Sequence, residues 1–428
     1  MTNANVTLEV TVRTVSINVH FPLIRISRTY AYFQSWFSIF ITDSEKKKGL
    51  RKYITRFLRF SFTAMSFRHE VQEKSRQKSL DDDSQDDFLQ VNMEKMLVML
   101  NNVFTVSRNY RAMDVRDATS EYITTKLGNL GLITGVQYFY PSRFFYQFVG
   151  FNPKHTNPIE TLPPGANVFG IYPGQLWGTA KDRIVLIGAH WDTMDGTDGY
   201  NDNGSGVATV LEIARQIVES RCKPKNTIIF ATFDLEEMGA QGSNEFVNRF
   251  LIPNILRKFG QSTIGGAFIA DTMMNLNTTL NSQEIPDTWV QVDPVTSQKI
   301  KSEGNRGDFL ALIQRRQPDA NLVNLFSKHW NHLNSGFKVR PFRIDIQKET
   351  PHLDTLTDIV PFVRSDHSRF WIVNETDYTS LPAILVTDTG KYLGLGDEIA
   401  QESFYGQLPY IISYHLAVML FITFHHGG

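Results

Sequence analysis

The stretch RIVLIGAHWDTMDGTDGYNDNGSG, residues 183–206, decides the fold. It opens with an unbroken apolar run ending on His190. A polar, glycine-rich turn follows, with Asp192 two residues after the histidine and Asp202 ten beyond that. Next, Val207, Val210, Leu211, Ala214, Ile217 and Val218 recur at helical spacing. A short continuous apolar run predicts a strand buried on both faces, and the periodic segment predicts a helix over about 204–220. The polar turn between them then lies at the carboxyl edge of the sheet, where open α/β folds hold their ligands.

The pattern repeats along the chain. Strand-like runs stand at VQYFY, ANVFGIY, TIIFATFD (227–234), GGAFIAD (265–271), KVRPFRIDI and PAILVTD. Helices are expected in FLQVNMEKMLVMLNNVF, in VRDATSEYITTKLGNLGL and near 243–257. Alternating strands and helices imply an α/β domain with a mostly parallel sheet covered on both faces. The sequence divides into an atypical, poorly ordered leader (1–87), a catalytic domain (88–396) and a divergent tail (397–428). The leader holds 11 Lys/Arg against 4 Asp/Glu between residues 41 and 80, before the acidic run DDDSQDD (81–87). Amphipathic spacing of Leu50, Tyr53, Ile54, Phe57 and Leu58 offers a membrane-surface helix as the alternative reading there.

Composition removes several function classes. The 428 residues are 42% hydrophobic and 20% charged, values of a globular protein, and the net charge of −1 gives no global electrostatic reason to bind nucleic acid or membranes. The single Cys222 excludes an intrachain disulfide, and it reads as inert. No apolar run reaches the roughly 18 residues of a transmembrane helix, and LPYIISYHLAVMLFITF (408–424) reads as a buried helix. MTNANVTLEV lacks the basic start and apolar core of a signal peptide, which leaves the compartment open. Asn277 and Asn374 sit in N-x-S/T patterns that matter only in a secreted chain.

Three apolar strands deliver their polar ends to one edge. TIIFATFD runs into LEEMGAQGS, placing Glu236 and Glu237 just past its end, and GGAFIAD finishes on Asp271. His190, Asp192, Asp202, Glu236, Glu237 and Asp271 are thereby gathered. Five converging carboxylates repel one another unless cations lie between them. Zinc accepts imidazole nitrogen and carboxylate oxygen at about 2.0–2.2 Å. In two-metal sites, with ions roughly 3.5–4 Å apart, one carboxylate can bridge both. Asp192, two residues from His190 on the same strand face, is placed to take the second ring N–H of a ligand histidine. Of the adjacent glutamates, one can bind metal while the other acts as general base. His329 and His332 have helical spacing without an accompanying carboxylate motif and read as packing or surface residues.

The motifs AHWDT, NDNGSG, FDLEEMGAQGS, IADTMM, VRSDHSRFW and PAILVTDT, in this order, resemble the co-catalytic zinc exopeptidase family of bacterial leucine-type aminopeptidases and glutamate carboxypeptidases. The resemblance covers roughly residues 90–395, and FTVSRNYRAMDVRDATSEYITTKLGNLGL is similar to the family's opening helical segment. It implies a three-layer α/β/α sandwich around a mixed sheet, two zinc ions and a peptide substrate. It also implies that His190 holds one zinc with Asp192 behind it, and that Asp202 bridges both ions. On the same resemblance Asp271 would ligate the first zinc and Glu237 the second, while Glu236 would be the general base acting on a metal-bridging water. His367, in SDH, matches a family histidine near the site that is not a usual ligand. The family takes its last ligand from a Tyr-His-Thr-x-x-Asp-like segment after the strand matching PAILVTDT. This chain lacks that segment, and Tyr414-His415 preserves only the dipeptide. His415 is thus the candidate for the remaining ligand, with a packed core histidine as its other reading. The expected function is a zinc exopeptidase, with an aminopeptidase foremost. The alternatives are a single-zinc glutaminyl-cyclase-like enzyme and a non-catalytic pseudopeptidase that binds a partner. Oligomeric state and side-chain preference stay open.

Overall fold

The computed structural model describes residues 5–12, 15–22, 92–141, 162–220, 223–257, 262–332, 338–346, 359–373 and 380–390. The chain divides into two units, Met1–Ser84 and Gln85–Gly428. In the first, β1 (Asn5–Val12) and β2 (Val15–Pro22) pair as an antiparallel hairpin.

The second unit is built on a mixed sheet of strands β3 (Ile133–Phe139), β4 (Gly165–Tyr172), β5 (Arg183–His190), β6 (Ile228–Phe233), β7 (Thr263–Ala270), β8 (Phe309–Arg315), β9 (Lys338–Ile344) and β10 (Ala383–Thr387). Their order in the sheet is β3-β4-β6-β5-β7-β10-β8-β9. The central pairings β6–β5, β5–β7 and β7–β10 are parallel, as is β8–β9. The pairings β3–β4, β4–β6 and β8–β10 are antiparallel.

Side-chain alternation in the central strands explains their apolar runs. Val185, Ile187 and Ala189 of β5 enter one core, with Ile228 and Phe230 of β6 and Phe268 and Ala270 of β7. Ile184 and Leu186, with Ile229, Phe233, Ala267 and Ile269, enter the other. Both faces are therefore covered. Helices α1 (Met93–Val103), α2 (Met113–Asn129), α3 (Gly206–Glu219) and Ala320–His332 supply Leu100, Ile123, Leu127, Val210 and Phe326 to the first core. The segment Phe246–Leu256, the short helix Asp287–Val292 and the helix Pro294–Ser302 supply Phe246, Leu251, Trp289 and Ile300 to the second. This is the expected three-layer α/β/α sandwich.

Two stretches depart from the sequence expectation. Strand β8 and the helices Asp287–Val292 and Pro294–Ser302 lie inside 278–320, where no strand or helix is assigned from the sequence. The helix expected near 243–257 begins as a single turn, Gln241–Glu245, and continues with π-type winding through Phe246–Leu256. Pro253 lies inside that segment and lacks the N–H that a regular α-helix would use. The readings placed on residues 30–41, 50–58, 81–87, 408–424, Cys222 and His415 fall outside the described residues.

Candidate metal centre

Parallel pairing of β5 with β6 and β7 brings the carboxyl ends of all three strands to one edge. His190 is the last residue of β5 and is buried. Its Nε2 lies 3.2 Å from Asp202 Oδ1 and 3.5 Å from Asp271 Oδ1. On the other side of the ring, Nδ1 lies 3.4 Å from Asp192 Oδ1. Metal-capable atoms of His190, Asp202 and Asp271, and of His190, Glu236 and Glu237, each fall within 4.8 Å of one another. All six strand-end residues singled out in the sequence are thus gathered around one imidazole.

Asp192 does two jobs. Besides facing His190, its Oδ1 accepts the Glu236 backbone N–H at 3.0 Å, and its Oδ2 accepts the Glu237 N–H at 3.2 Å. One buried carboxylate therefore orients the ring and the turn that carries both glutamates. That turn is held from below by Asp234, whose Oδ2 pairs with Arg116 at 2.5 Å and accepts the Ala166 N–H at 2.8 Å. Burial pushes the Asp234 carboxyl up to about 7, against the pull of Arg116.

Asp202 comes from the turn Tyr200–Ser205, which leads into α3. Its neighbours fix the turn. Asn203 donates to the Ala270 carbonyl at 2.9 Å and accepts the N–H groups of Gly206 (3.0 Å) and Thr272 (3.2 Å). Asn201 Oδ1 accepts the Met273 and Met274 N–H groups at 3.1 and 3.0 Å. Asp388, just past β10, accepts from Asn201 and from the Asn275 N–H. The NDNGS turn is therefore tied to the end of β7, which positions Asp202 against Asp271. The Asp202 side chain is 45% exposed against 17% for Asp271, so the cluster opens on the Asp202 side.

The electrostatics are those of crowded carboxylates. Burial raises Glu236 well above the ordinary glutamate value; His190 opposes this, while the charges of Glu237, Asp366 and Asp271 add to it. Burial raises Glu237 similarly, with Asp202, Asp192 and Asp271 adding to the shift and His190 opposing it. For His190, burial lowers the pKa, but the Glu236 charge and hydrogen bonds to Asp192, Asp202 and Asp271 raise it well above its usual value. Burial raises Asp271, yet its hydrogen bond to His190 and the imidazole charge carry it below the usual range. His367 stands apart: burial holds its ring neutral, down to about 3, with Nε2 3.0 Å from the Phe362 carbonyl and its ring edge-on to Trp371.

One histidine among several carboxylates is a donor set that suits zinc. A cation would relieve the mutual repulsion that now raises Glu236 and Glu237. The residues present therefore fit a metal ion. The remaining candidate ligand, His415, lies outside the described residues.

Sequence reasoning missed Arg108, Asp234 and Asp388. Asp234 and Asp388 end recognised strand runs and Arg108 lies inside the quoted opening segment, but a lone charged residue carries no periodicity. The signal available for two of them was position: Asp234 and Asp388 each follow a buried strand that ends at the site edge.

Fold and cluster together define an α/β metal-site domain. Residues 167–332, which contain His190, Asp192, Asp202, Glu236, Glu237 and Asp271, match the family model described as Peptidase family M28. Aminopeptidase NAALADL1 of Mus musculus is 33% identical over 156 residues, or 35% of this chain and 19% of the relative. Probable glutamate carboxypeptidase VP8 of Zea mays is 40% identical over 84 residues, or 19% of this chain and 11% of the relative. The alignments thus span about a fifth or less of these relatives' lengths. Among solved structures, the LapA aminopeptidase of Legionella pneumophila aligns at 16% identity over 82% of this chain and 79% of its own, with a TM-score of 0.49.

Proposed function

We propose that this chain is a zinc-dependent exopeptidase that removes residues from the amino end of peptides. The observation that carries the reading is the cluster itself: His190, Asp202, Asp271, Glu236 and Glu237 offer ligand atoms around one buried imidazole. His190, Asp202 and Asp271 would hold one zinc, and Asp202 and Glu237 a second. Bound there, zinc supplies Lewis acidity toward a peptide carbonyl and acidifies water near neutral pH.

The chain's own groups do the rest. Glu236 takes the proton of the attacking water and passes it to the departing amine. Asp192 keeps the His190 Nδ1 side occupied, leaving Nε2 for the metal. The same carboxylate grips the Glu236 N–H, so base and ligand move as one piece.

Charge favours the amino end. The site edge is rich in carboxylates, which suits a protonated α-amine. Three buried arginines around the site are turned inward: Arg108 onto loop carbonyls, Arg116 onto Asp234 and Arg369 onto the Gly239 carbonyl. Capture of a peptide's terminal carboxylate calls for a guanidinium or ammonium facing the cleft.

Mass spectrometry on free, amino-acetylated and carboxy-amidated versions of one peptide tests this, using the zinc-loaded chain. Stepwise loss from the amino end, blocked by acetylation and indifferent to amidation, is expected. Loss from the carboxyl end contradicts the polarity. Cyclisation of an amino-terminal glutamine in its place supports the single-zinc cyclase alternative, and no reaction across a broad panel supports the non-catalytic one.

A further inference from the structure

Between Asp192 and Asp202 the chain makes a loop that must return at the right distance for both to face His190. The loop carries its own turns, with Tyr200 N–H donating to Asp198 Oδ1 at 3.0 Å and Gly196 and Gly199 at positive φ, but these bonds do not join its two ends. The restraint comes from the segment after α1. Arg108 is fully buried beneath the loop. Its Nε donates to the Trp191 carbonyl at 2.7 Å, at the loop's first residue. Its Nη1 donates to the Asp198 carbonyl and its Nη2 to the Gly199 carbonyl, both at 2.9 Å, at the loop's far end. A further bond from Nη1 to the Val106 carbonyl, at 2.8 Å, anchors the guanidinium to its own segment.

The backbone completes the clasp. The Arg108 N–H donates to Thr193 Oγ1 at 3.0 Å, and the Ser107 hydroxyl lies 3.2 Å from the same oxygen. The guanidinium packs 4.9 Å from the centre of the Phe104 ring, which holds its plane. At Gly199 an added Cβ would lie 2.6 Å from Arg108 Nη2 and 2.1 Å from Thr193 Cγ2, so the loop backbone sits directly on the guanidinium. A planar fork with several fixed N–H directions can span two ends of a loop, whereas an ammonium on a flexible stem cannot.

We infer that Arg108 is a further positioning residue of the metal centre: its guanidinium ties residue 191 to residues 198–199 and so, together with the ties of the NDNGS turn to β7, helps set how far Asp202 stands from His190 and Asp192. This inference rests on the metal-centre reading above and adds a residue that touches none of the ligands. The charges of Asp192, Asp198 and Asp202 also act on the guanidinium, so it offsets part of the carboxylate surplus from behind.

The test is zinc affinity, measured by chelator competition on the full chain, for wild type, Arg108→Met and Arg108→Lys. The zinc-free unfolding midpoint of each is taken beside it, to read any general loss of stability separately. Arg108→Met is expected to bind zinc on the order of 10- to 100-fold more weakly, the usual cost of losing an outer-shell support. Arg108→Lys keeps the charge but not the fork, and is expected to fall between Arg108→Met and wild type. Wild-type affinity in a folded Arg108→Met overturns the inference. Should that variant fail to fold, wild-type affinity in Arg108→Lys overturns it equally. Failure of the functional reading looks different. A wild-type chain that binds no zinc removes the metal centre and this inference together. A wild-type chain that binds zinc but trims no peptide removes the peptidase, and the role of Arg108 still stands or falls by the affinity ratio.

Discussion

Glu236 and Glu237 sit side by side on one turn and titrate in each other's field. Burial raises both well above an ordinary glutamate. With folded pKa values raised, the zinc-free site holds protons at pH values where free glutamates have lost them. A zinc held by Glu237 requires that carboxylate deprotonated, and the ion's charge also favours a deprotonated Glu236, so binding must release protons, and affinity must rise with pH. Titration calorimetry in buffers of different ionisation enthalpy is expected to show proton release, with tighter binding at about pH 8 than at about pH 6. Affinity independent of pH would contradict this account of the pair. At this scale the sequence was informative wherever a polar residue ended an apolar strand, as with His190, Asp271 and the two glutamates. It was silent on Arg108, whose importance lies in contacts to backbone carbonyls some 83–91 positions away. No local pattern encodes such contacts.

The elements explain why these side chains meet. Helix α3 starts almost on top of β7: at Gly206 an added Cβ would lie 2.2 Å from Asn203 Oδ1 and 2.8 Å from the Ala270 carbonyl. With φ at −63°, the restriction there is steric, not conformational. Gly206→Ala is therefore expected to destabilise by about 1–3 kcal/mol, the usual range for overpacking, despite alanine's better helix propensity. Urea unfolding measures it, and wild-type stability in that variant would show that the turn and strand have room to part. The strands around the site were readable because burial on both faces forces continuous apolar runs. Strand β8 was not, although FLALIQR is itself buried throughout. It follows the polar, turn-rich stretch SEGNRGD. The antiparallel insertion of β8 beside β10 is a tertiary outcome, set by which edge was left to pair.

Among the described residues of the unit Gln85–Gly428, two cores sandwich one sheet, and the candidate metal centre sits where the three central strands end. A site assembled from β5, the turn before α3, the turn after β6 and the end of β7 exists only when the sheet is formed. Zinc that binds the folded chain alone must therefore stabilise it, by about 2.7 kcal/mol when free zinc is 100 times its dissociation constant. The thermal unfolding midpoint is expected to rise with added zinc and to return with chelator; a midpoint indifferent to zinc would speak against a built site. Fold class and layer order were legible from alternation alone, whereas strand order was not, because pairing partners are chosen by packing between distant segments.

The central claim is that Glu236 is the general base of a zinc exopeptidase. The most direct measurement is the rate of amino-terminal residue release by the zinc-loaded chain, wild type against Glu236→Gln, with bound zinc quantified in both. The account predicts that the variant keeps its zinc and loses on the order of 100- to 10,000-fold in rate. A Glu236→Gln chain that retains zinc and cleaves at the wild-type rate would contradict it.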